Sequence, residues 1–519
     1  MYIIRDFRKP WIYADSNYAE SGTNAGFVTR ISQSGMDLLS DYLKDRISKM
    51  SLNTEIPISF STEIDNDITY ELLATNLVSC DSSTLQSRVT ITPNKGVSWT
   101  GSQLSAKIAS LFKVKTENAE FIGKSNISID RAVINMQFST GINADGHLKT
   151  DMSSCRVRLR QVSINFARNN ASLLSNYFAP ISRLTKDKIE EVLCAKFFTE
   201  LIPTISNRLM NTPMSAILFE HYFINYGFID KINYTEKYIE MKHRGNTFAI
   251  LRQGKFLLFS SLSRNRVNDF RLPFRSTPMY IPNETFGMVD FYVSNYTVSS
   301  LLFWMNQYRK FNYEISKDSS SSESIVGYLR TGCGAEDVCA GTLFPALAAQ
   351  FPNGLVQIKT RTSKSPTLIF TSGKGIASLD NRVDAFVQQG DKITRFLTAR
   401  MTVDVAFSKF AFKDYELTMS LKIEKFKIYD VASSIEGIDA TSLEFLVSAL
   451  NELVISDDLA KKLKGGIQLP IMLDFEQKSV DVVVENGYLR ISANYCYDNL
   501  CDNFAENTDA VDYYDAINS

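Results

Sequence analysis

The sequence predicts an α+β protein, mainly antiparallel β, made of two similar domains in tandem. Three observations predict this class. The chain has 519 residues, too many for one ordinary hydrophobic core. Long stretches alternate apolar and polar residues between clusters of Gly, Asn, Asp and Ser, the pattern of half-buried antiparallel strands. The order helix, strands, helix occurs twice, as a duplication of about 200 residues, too coarse for a solenoid.

Residues 24–50, NAGFVTRISQSGMDLLSDYLKDRISKM, read as one amphipathic helix. Met36, Leu39, Leu43, Ile47 and Met50 step by three and four into an apolar stripe, with Asp37, Asp41, Lys44 and Asp45 mainly outside it. From about residue 56 to 166 the period changes to two, which predicts long antiparallel strands. Within that region CRVRLRQVSINF, residues 155–166, alternates Arg156, Arg158 and Arg160 with Val157 and Leu159, so a strand puts the three charges on one face. The stripe reads either as a surface for an anion or as the wet side of a half-buried strand.

A second helical block follows at about 171–202, carrying Leu173, Leu174, Tyr177, Phe178, Ile189, Val192, Leu193, Phe197, Phe198 and Leu201. Pro180 is expected to kink or split it and Pro203 to end it. RLPFRSTPMYIPN, residues 271–283, holds three prolines, suits neither helix nor central strand, and marks the domain boundary. Beyond it the order returns: a short helix with Val298, Leu301, Leu302 and Met305, then strands, then a helix at about 440–465 with Leu443, Leu446, Leu450, Leu453 and Val454 before Gly465-Gly466. KDSSSSES, residues 317–324, reads as a loop insertion, and the tail from Asp502 is acidic.

Lys plus Arg total 56 against 57 Asp plus Glu, so the overall field gives no reason to expect nucleic acid. No apolar run approaches the roughly 20 residues of a membrane-spanning helix. The start MYIIRDFRKPW has no signal-peptide core. Even so, the sequons at Asn126, Asn170, Asn233, Asn283 and Asn295 favour an extracellular chain whose signal peptide is missing from this sequence. Seven cysteines without a C-x-x-C pair argue against a zinc ribbon, and the neighbours Cys333/Cys339 and Cys496/Cys501 are spaced to close small disulfide loops.

Only His147, His221 and His243 are present, none in a metal-ligand spacing, and neither a G-x-S-x-G elbow nor a Walker loop occurs. GKGIAS, from Gly373, misses the dinucleotide fingerprint and reads as a turn among strands. The expectation is a protein that is not an enzyme and uses no metal or cofactor.

At NAGFVTRISQSGMDLLSDYL the chain resembles the lipid-binding family of bactericidal/permeability-increasing protein, lipopolysaccharide-binding protein and the plasma phospholipid and cholesteryl ester transfer proteins, with Ala25 where the family has proline. MVDFYVSNYTVSSLL (288–302), LFPALAAQFPNGLVQIK (343–359) and LAKKLKGGIQLP (459–470) continue the resemblance in order. It implies an elongated boomerang of two similar domains, each a twisted sheet wrapped on long helices, joined by a central sheet. The expected divisions are an N-terminal extension (1–23), a first lipid-binding barrel (24–245), a linker with the central-sheet region (246–276), a second barrel (277–500) and the acidic tail (501–519).

The resemblance also implies a disulfide between Cys155 and Cys194, which would turn Val157 and Leu159 inward and leave the arginines in water. It implies an apolar pocket in each domain for phospholipid acyl chains. The candidates are Leu39, Leu43, Ile47, Leu174, Tyr177, Phe178, Val192 and Phe197 in the first and Val298, Leu302, Met305, Leu446, Leu450 and Leu453 in the second. The same stripes on pattern alone would pack a closed core. Expected partners are a phospholipid or another amphipathic lipid, with transient contact to a membrane or lipoprotein surface. The alternative is lipopolysaccharide, for which Lys44, Arg46, Lys49 and Lys95 are the cations on offer, interleaved with Asp41 and Asp45.

Overall fold

The computed structural model describes residues 24–48, 55–56, 59–65, 68–81, 83–117, 120–143, 147–167, 177–211, 214–219, 222–249, 272–318, 323–334, 337–413, 416–445, 467–468, 475–497 and 501. In the first half, β1 (Phe27–Ser32) runs into α1 (Gln33–Ser48), followed by β2 (Glu55–Ile56), β3 (Phe60–Asp65), β4 (Ile68–Asp81), β5 (Gln86–Thr92), β6 (Gly96–Lys115), β7 (Glu120–Ile142) and β8 (Leu148–Phe166). Next come α2 (Phe178–Lys196), a π-helical turn (Phe197–Leu201), α3 (Ile202–Met210), β9 (Ser215–Phe219), β10 (Tyr222–Asn225), β11 (Asn233–Tyr234), β12 (Tyr238–His243) and β13 (Thr247–Ala249).

The second half repeats the plan with β14 (Val289–Ser294), α4 (Asn295–Gln307), β15 (Tyr313–Ile315) and the short helices α5 (Glu323–Tyr328), α6 (Ala340–Leu343) and α7 (Pro345–Gln350). The long strands β16 (Leu355–Thr362), β17 (Thr367–Thr371), β18 (Lys374–Gln389), β19 (Lys392–Lys413) and β20 (Glu416–Ser433) follow, then a helical turn at 440–445. The last strands are β21 (Ile467–Gln468), β22 (Glu476–Glu485) and β23 (Tyr488–Cys496).

Each half has its own seven-stranded antiparallel sheet, β2-β4-β6-β7-β8 with β3 and β5 on its flanks, and β15-β16-β18-β19-β20-β21 with β17. A six-stranded central sheet, β11-β12-β1-β14-β23-β22, takes three strands from each half. Its seam is β1 against β14, where Phe27 opposes Val293 and Arg30 opposes Asp290.

Residues 27–32 are therefore strand, not the start of the first helix. FVTRIS is rich in β-branched and aromatic residues, and the strand is buried on both faces, so no alternation betrays it. The chain enters β1 through a close backbone approach. A side chain on Gly26 would meet the Arg244 carbonyl at 2.3 Å, and Gly245, at φ +67°, is pressed against Gly26 in turn.

The two prolines also act differently from expectation. Pro180 lies in the first turn of α2, where its missing N–H is not needed. Pro203 does not end the helix. The turn before it widens to π geometry, closed by Ile202 N–H donating to Phe197 O, and α3 continues to Met210. The wider turn relieves the clash a proline ring makes with the carbonyl four residues back. Gly373 does form a turn, joining β17 to β18 at φ +84°.

One face of the central sheet is apolar, carrying Phe27, Val289, Phe291, Leu489, Ile491 and Ala493. The other is a buried polar ladder around Arg30, which is 4 % exposed. Arg30 Nε and Nη2 each lie 2.8 Å from Glu240 Oε2, Nη1 donates to the carbonyls of Pro282 and Glu284, and the guanidinium sits 4.3 Å from the Tyr238 ring and 5.3 Å from the Tyr292 ring. The segment from 272 to 288, which has no regular structure, contributes those carbonyls and so covers this face.

Helix α1 touches both halves. Met36, Leu39 and Leu43 belong to the first-half core, while Leu38 joins the central apolar cluster. Tyr42 packs edge-on against Phe475 and Tyr497 at 5.5 and 5.0 Å, and the Tyr497 hydroxyl donates to Asp45 at 2.9 Å.

Removing one member of a buried ion pair strands the other, at about 3–5 kcal/mol. Arg30→Met is thus expected to lower stability by that amount in urea unfolding, and adding Glu240→Leu should recover most of it; equal midpoints for wild type and the single variant would contradict the role given to Arg30.

His243 Nδ1 is 2.8 Å from Tyr226 O and Nε2 is 3.2 Å from the Thr29 hydroxyl. Burial holds this imidazole down from 6.5 to about 4. Between those values the unfolded chain takes a proton that the folded one refuses, so the contribution is full above pH 6.5 and stability is lost toward pH 4 at about 1.4 kcal/mol per pH unit. Urea titrations across that window should show a shallower slope for His243→Gln than for wild type.

Candidate functional site

The first-half sheet closes on α1, α2 and α3 around an apolar interior. Tyr70 and Leu72 enter from β4, Phe112 from β6 and Ile127 from β7, while α2 inserts Ile181, Thr185 and Ile189, a buried stripe stepping by four. Of the residues singled out in the sequence, Leu39, Leu43, Tyr177, Val192 and Phe197 are half-buried against this core. Phe178 stands at its outer edge, 36 % exposed and stacked on Phe166 at 5.3 Å. Leu174 and the side chain of Ile47 lie outside the described residues. Ile181 and Thr185 escaped the sequence reading because the threonine interrupts an otherwise apolar spacing.

The second half has two apolar regions. Val298, Leu302 and Met305 of α4 face the central cluster with Phe291, Phe311 and Phe370. Farther out, Phe344 and Leu347 of α6–α7 and Leu443 of the turn at 440–445 face Val356, Phe396 and Ile428 across a wholly apolar cavity of about 20 Å³. Leu446, Leu450 and Leu453 lie outside the described residues. The contribution of α6–α7 was hidden because PALAAQ, six residues long, is too short to show a period.

The two halves close their sheets by the same device. In the first, Glu190 of α2 accepts from the Leu159 N–H on the edge strand β8 at 2.7 Å. In the second, Glu444 accepts from the Ile428 N–H of β20, also at 2.7 Å. Each first helix starts at a serine, with Ser32 Oγ accepting from Gly35 N–H and Ser294 Oγ from Thr297 N–H, both at 3.4 Å.

Residues 216–497 match the family model described as LBP / BPI / CETP family, C-terminal domain. The chain belongs to the LBP / BPI / CETP family. This is a lipid- and lipopolysaccharide-binding family. Similar relatives are the lipopolysaccharide-binding proteins of Bos taurus, 19% identical over 92% of this chain and 94% of that protein, and of Homo sapiens, 20% identical over the same shares. A crystal structure of lipopolysaccharide binding protein aligns with a TM-score of 0.52 at 17% identity, covering 92% of this chain and 99% of that one. The fold is thus the LBP / BPI / CETP boomerang, mainly antiparallel β with a central sheet shared by both halves.

Within this family fold, Cys155–Cys194, Cys333–Cys339 and Cys496–Cys501 are bonded, and Cys80 is free. Val157 and Leu159 are buried while Arg156, Arg158 and Arg160 are exposed, so the basic stripe is the outer face of β8. Lys95 sits in the β5–β6 turn, whose Asn94 N–H donates to Tyr234 O. The start of α1 is close by, through Gln33 and Ile91. Lys44 is eleven residues farther along that helix, roughly 16 Å at the helical rise. The side chains of Arg46 and Lys49 lie outside the described residues.

Among the sequons, Asn126, Asn233 and Asn283 are exposed, and Asn170 lies outside the described residues. Asn295 opens α4 half-buried, and its Oδ1 accepts from Phe370 N–H at 2.7 Å. Among the described residues no helix is long and apolar enough to cross a membrane.

Cys155–Cys194 ties β8 to α2 across 39 residues of chain, a loop whose closure stabilises by roughly 3–4 kcal/mol in the chain-entropy model. Replacing both cysteines with alanine should lower stability by that amount in urea unfolding under non-reducing conditions; an unchanged midpoint would mean that packing alone holds α2.

Proposed function

We propose that this protein is a secreted lipid-binding or lipid-transfer protein that holds phospholipid acyl chains in two apolar interiors, one in residues 24–245 and one in 277–500. The observation that carries the reading is the buried apolar cluster between sheet and helices in each half of a chain with this family fold. A phospholipid with two chains of about sixteen carbons hides roughly 25 kcal/mol of hydrophobic free energy, at about 0.8 kcal/mol per methylene. A carrier must match that with an apolar interior yet bind no more tightly than the bilayer, or release stops.

The second-half cavity of about 20 Å³ is far below the ~300–1,000 Å³ of ligand pockets. Loading therefore requires the helices to part from the sheet. The role is binding rather than catalysis, and no metal or cofactor takes part. Exposure of Asn126 and Asn233 supports glycosylation there, whereas the side-chain oxygens of Asn283 and Asn295 are engaged in the fold, by the Tyr238 hydroxyl and the Phe370 N–H.

Lipopolysaccharide binding is the second reading, favoured by the relatives that carry that name over 92% of this chain. Lipid A binding that weakens steeply with added salt would select it, because salt screens exposed charge pairs. For the leading reading, native mass spectrometry of the purified protein should find co-purified phospholipid, and the protein should speed transfer of a fluorescent phospholipid between vesicles. Finding neither would sink it.

A further inference from the structure

On the outer face of the second-half sheet, three arginines stand in one row across three neighbouring strands. Arg361 of β16 is directly opposite Arg382 of β18, and Arg382 is directly opposite Arg400 of β19. All three are exposed, while their chain neighbours Val383, Ala399 and Met401 face the second-half core, so the guanidinium groups lie on the side away from it. Strands are about 4.8 Å apart, which makes the row roughly 10 Å long between its end residues. On β20 the row meets Tyr429, and the exposed Lys427 of the same strand and face continues it diagonally.

Like charges directly opposite on one face destabilise a sheet. Here that juxtaposition occurs twice in succession, and only its middle member is relieved. Asp384 Oδ1 is 3.3 Å from Arg382 Nη2 and 3.8 Å from Arg395 Nη1, and it accepts from the Thr398 hydroxyl at 3.0 Å. Among the described residues Arg361 and Arg400 have no ion pair and no side-chain hydrogen bond. Their planar forks are free to take the paired oxygens of an oxyanion.

The stripe is narrow. On the same face Arg382 has Asp380 and Asp384 two residues to either side, and Arg400 has Thr398 and Thr402. An anionic membrane plane would meet those carboxylates together with the arginines, and none of these flanking positions offers an apolar side chain to insert. A linear polyanion laid across the strands meets the arginines alone.

We propose that Arg361, Arg382, Arg400 and Lys427 form a binding stripe for a linear sulfated polysaccharide running across β16, β18, β19 and β20, which are successive neighbours in the sheet. The stripe lies on the far side of these strands from the apolar interior, so the inference goes beyond lipid binding and takes from that reading only an extracellular location. A sulfated chain carries charge on nearly every sugar and can meet a cation on each successive strand. A chain with one carboxylate on alternate sugars leaves cations unmet. Because the charges are exposed, the attraction weakens with added salt.

The test uses the full chain at physiological ionic strength, with immobilised heparin, immobilised hyaluronan, and vesicles of phosphatidylcholine with phosphatidylglycerol. Wild type should bind heparin at least about tenfold more tightly than hyaluronan, and Arg361→Gln with Arg400→Gln should weaken heparin binding at least about tenfold. The same pair of changes relieves like-charge contacts and should leave the urea midpoint unchanged or raised. Arg156→Gln with Arg160→Gln removes equal charge from the outer face of β8 and should alter heparin binding less than about twofold. No heparin binding by wild type, or equal losses in the two double variants, overturns the proposal. A lowered urea midpoint in the row variant would assign the arginines to the fold, and vesicle binding lost in that variant without heparin binding in wild type would assign them to a membrane; either result also overturns it. Phospholipid transfer between neutral vesicles should be the same for wild type and the row variant, so the lipid-transfer reading stands or falls separately.

Discussion

The ion pair of Arg30 with Glu240 is the interaction on which the arrangement of the halves depends. Arg30 stands on the middle strand of a sheet whose strands come equally from both halves, and all its donors point into protein. A buried guanidinium is tolerable only when opposite charge, carbonyls and ring faces replace its water. Glu240 supplies the charge from the first half, and Pro282, Glu284 and Tyr292 supply the rest from beyond residue 271. The connecting segment is thereby held to the sheet by the same residue that lies at its centre.

Each half then builds outward from a strand of that sheet. Strand β1 leads into α1 and β14 into α4, each through a serine at the helix start, and in each outer sheet a glutamate from a later helix takes an N–H of the last long strand, beyond the reach of the two-residue β21 in the second. An exposed sheet edge invites pairing with another chain. Here a carboxylate takes one of the free N–H groups and fixes the helix against the strand. The apolar interiors lie between those helices and the sheets, so the contacts that protect the edges also set how far the interiors can widen.

Much of this was legible in the sequence where the pattern is local. Alternation in 56–166 marked the long strands, and the spacing of Leu39 and Leu43 marked the inner face of α1. The exposed arginines of β8 followed once Val157 and Leu159 were assigned inward. What stayed hidden depends on contacts far apart in the chain. β1 has both faces buried and shows no period, although one arginine among Phe27, Val28 and Ile31 was a sign of a paired charge. The π turn before Pro203 is a response of the backbone to tertiary packing, which propensity does not encode. Thr185 looked like an interruption of a stripe because its neighbours Tyr70 and Ser125 lie on strands more than fifty residues away.

Helix α1 has two owners. One side is wall to the first interior through Met36, Leu39 and Leu43, and the other is clasped by Phe475 and Tyr497 near the end of the chain. A wall shared in this way cannot shift for one compartment alone. If the first interior swells by pushing α1 outward, the displacement bears on β23, which pairs with β14, the strand that leads into α4 and the second interior. A displacement of α1 in one half is thus mechanically felt at the strand that begins the other.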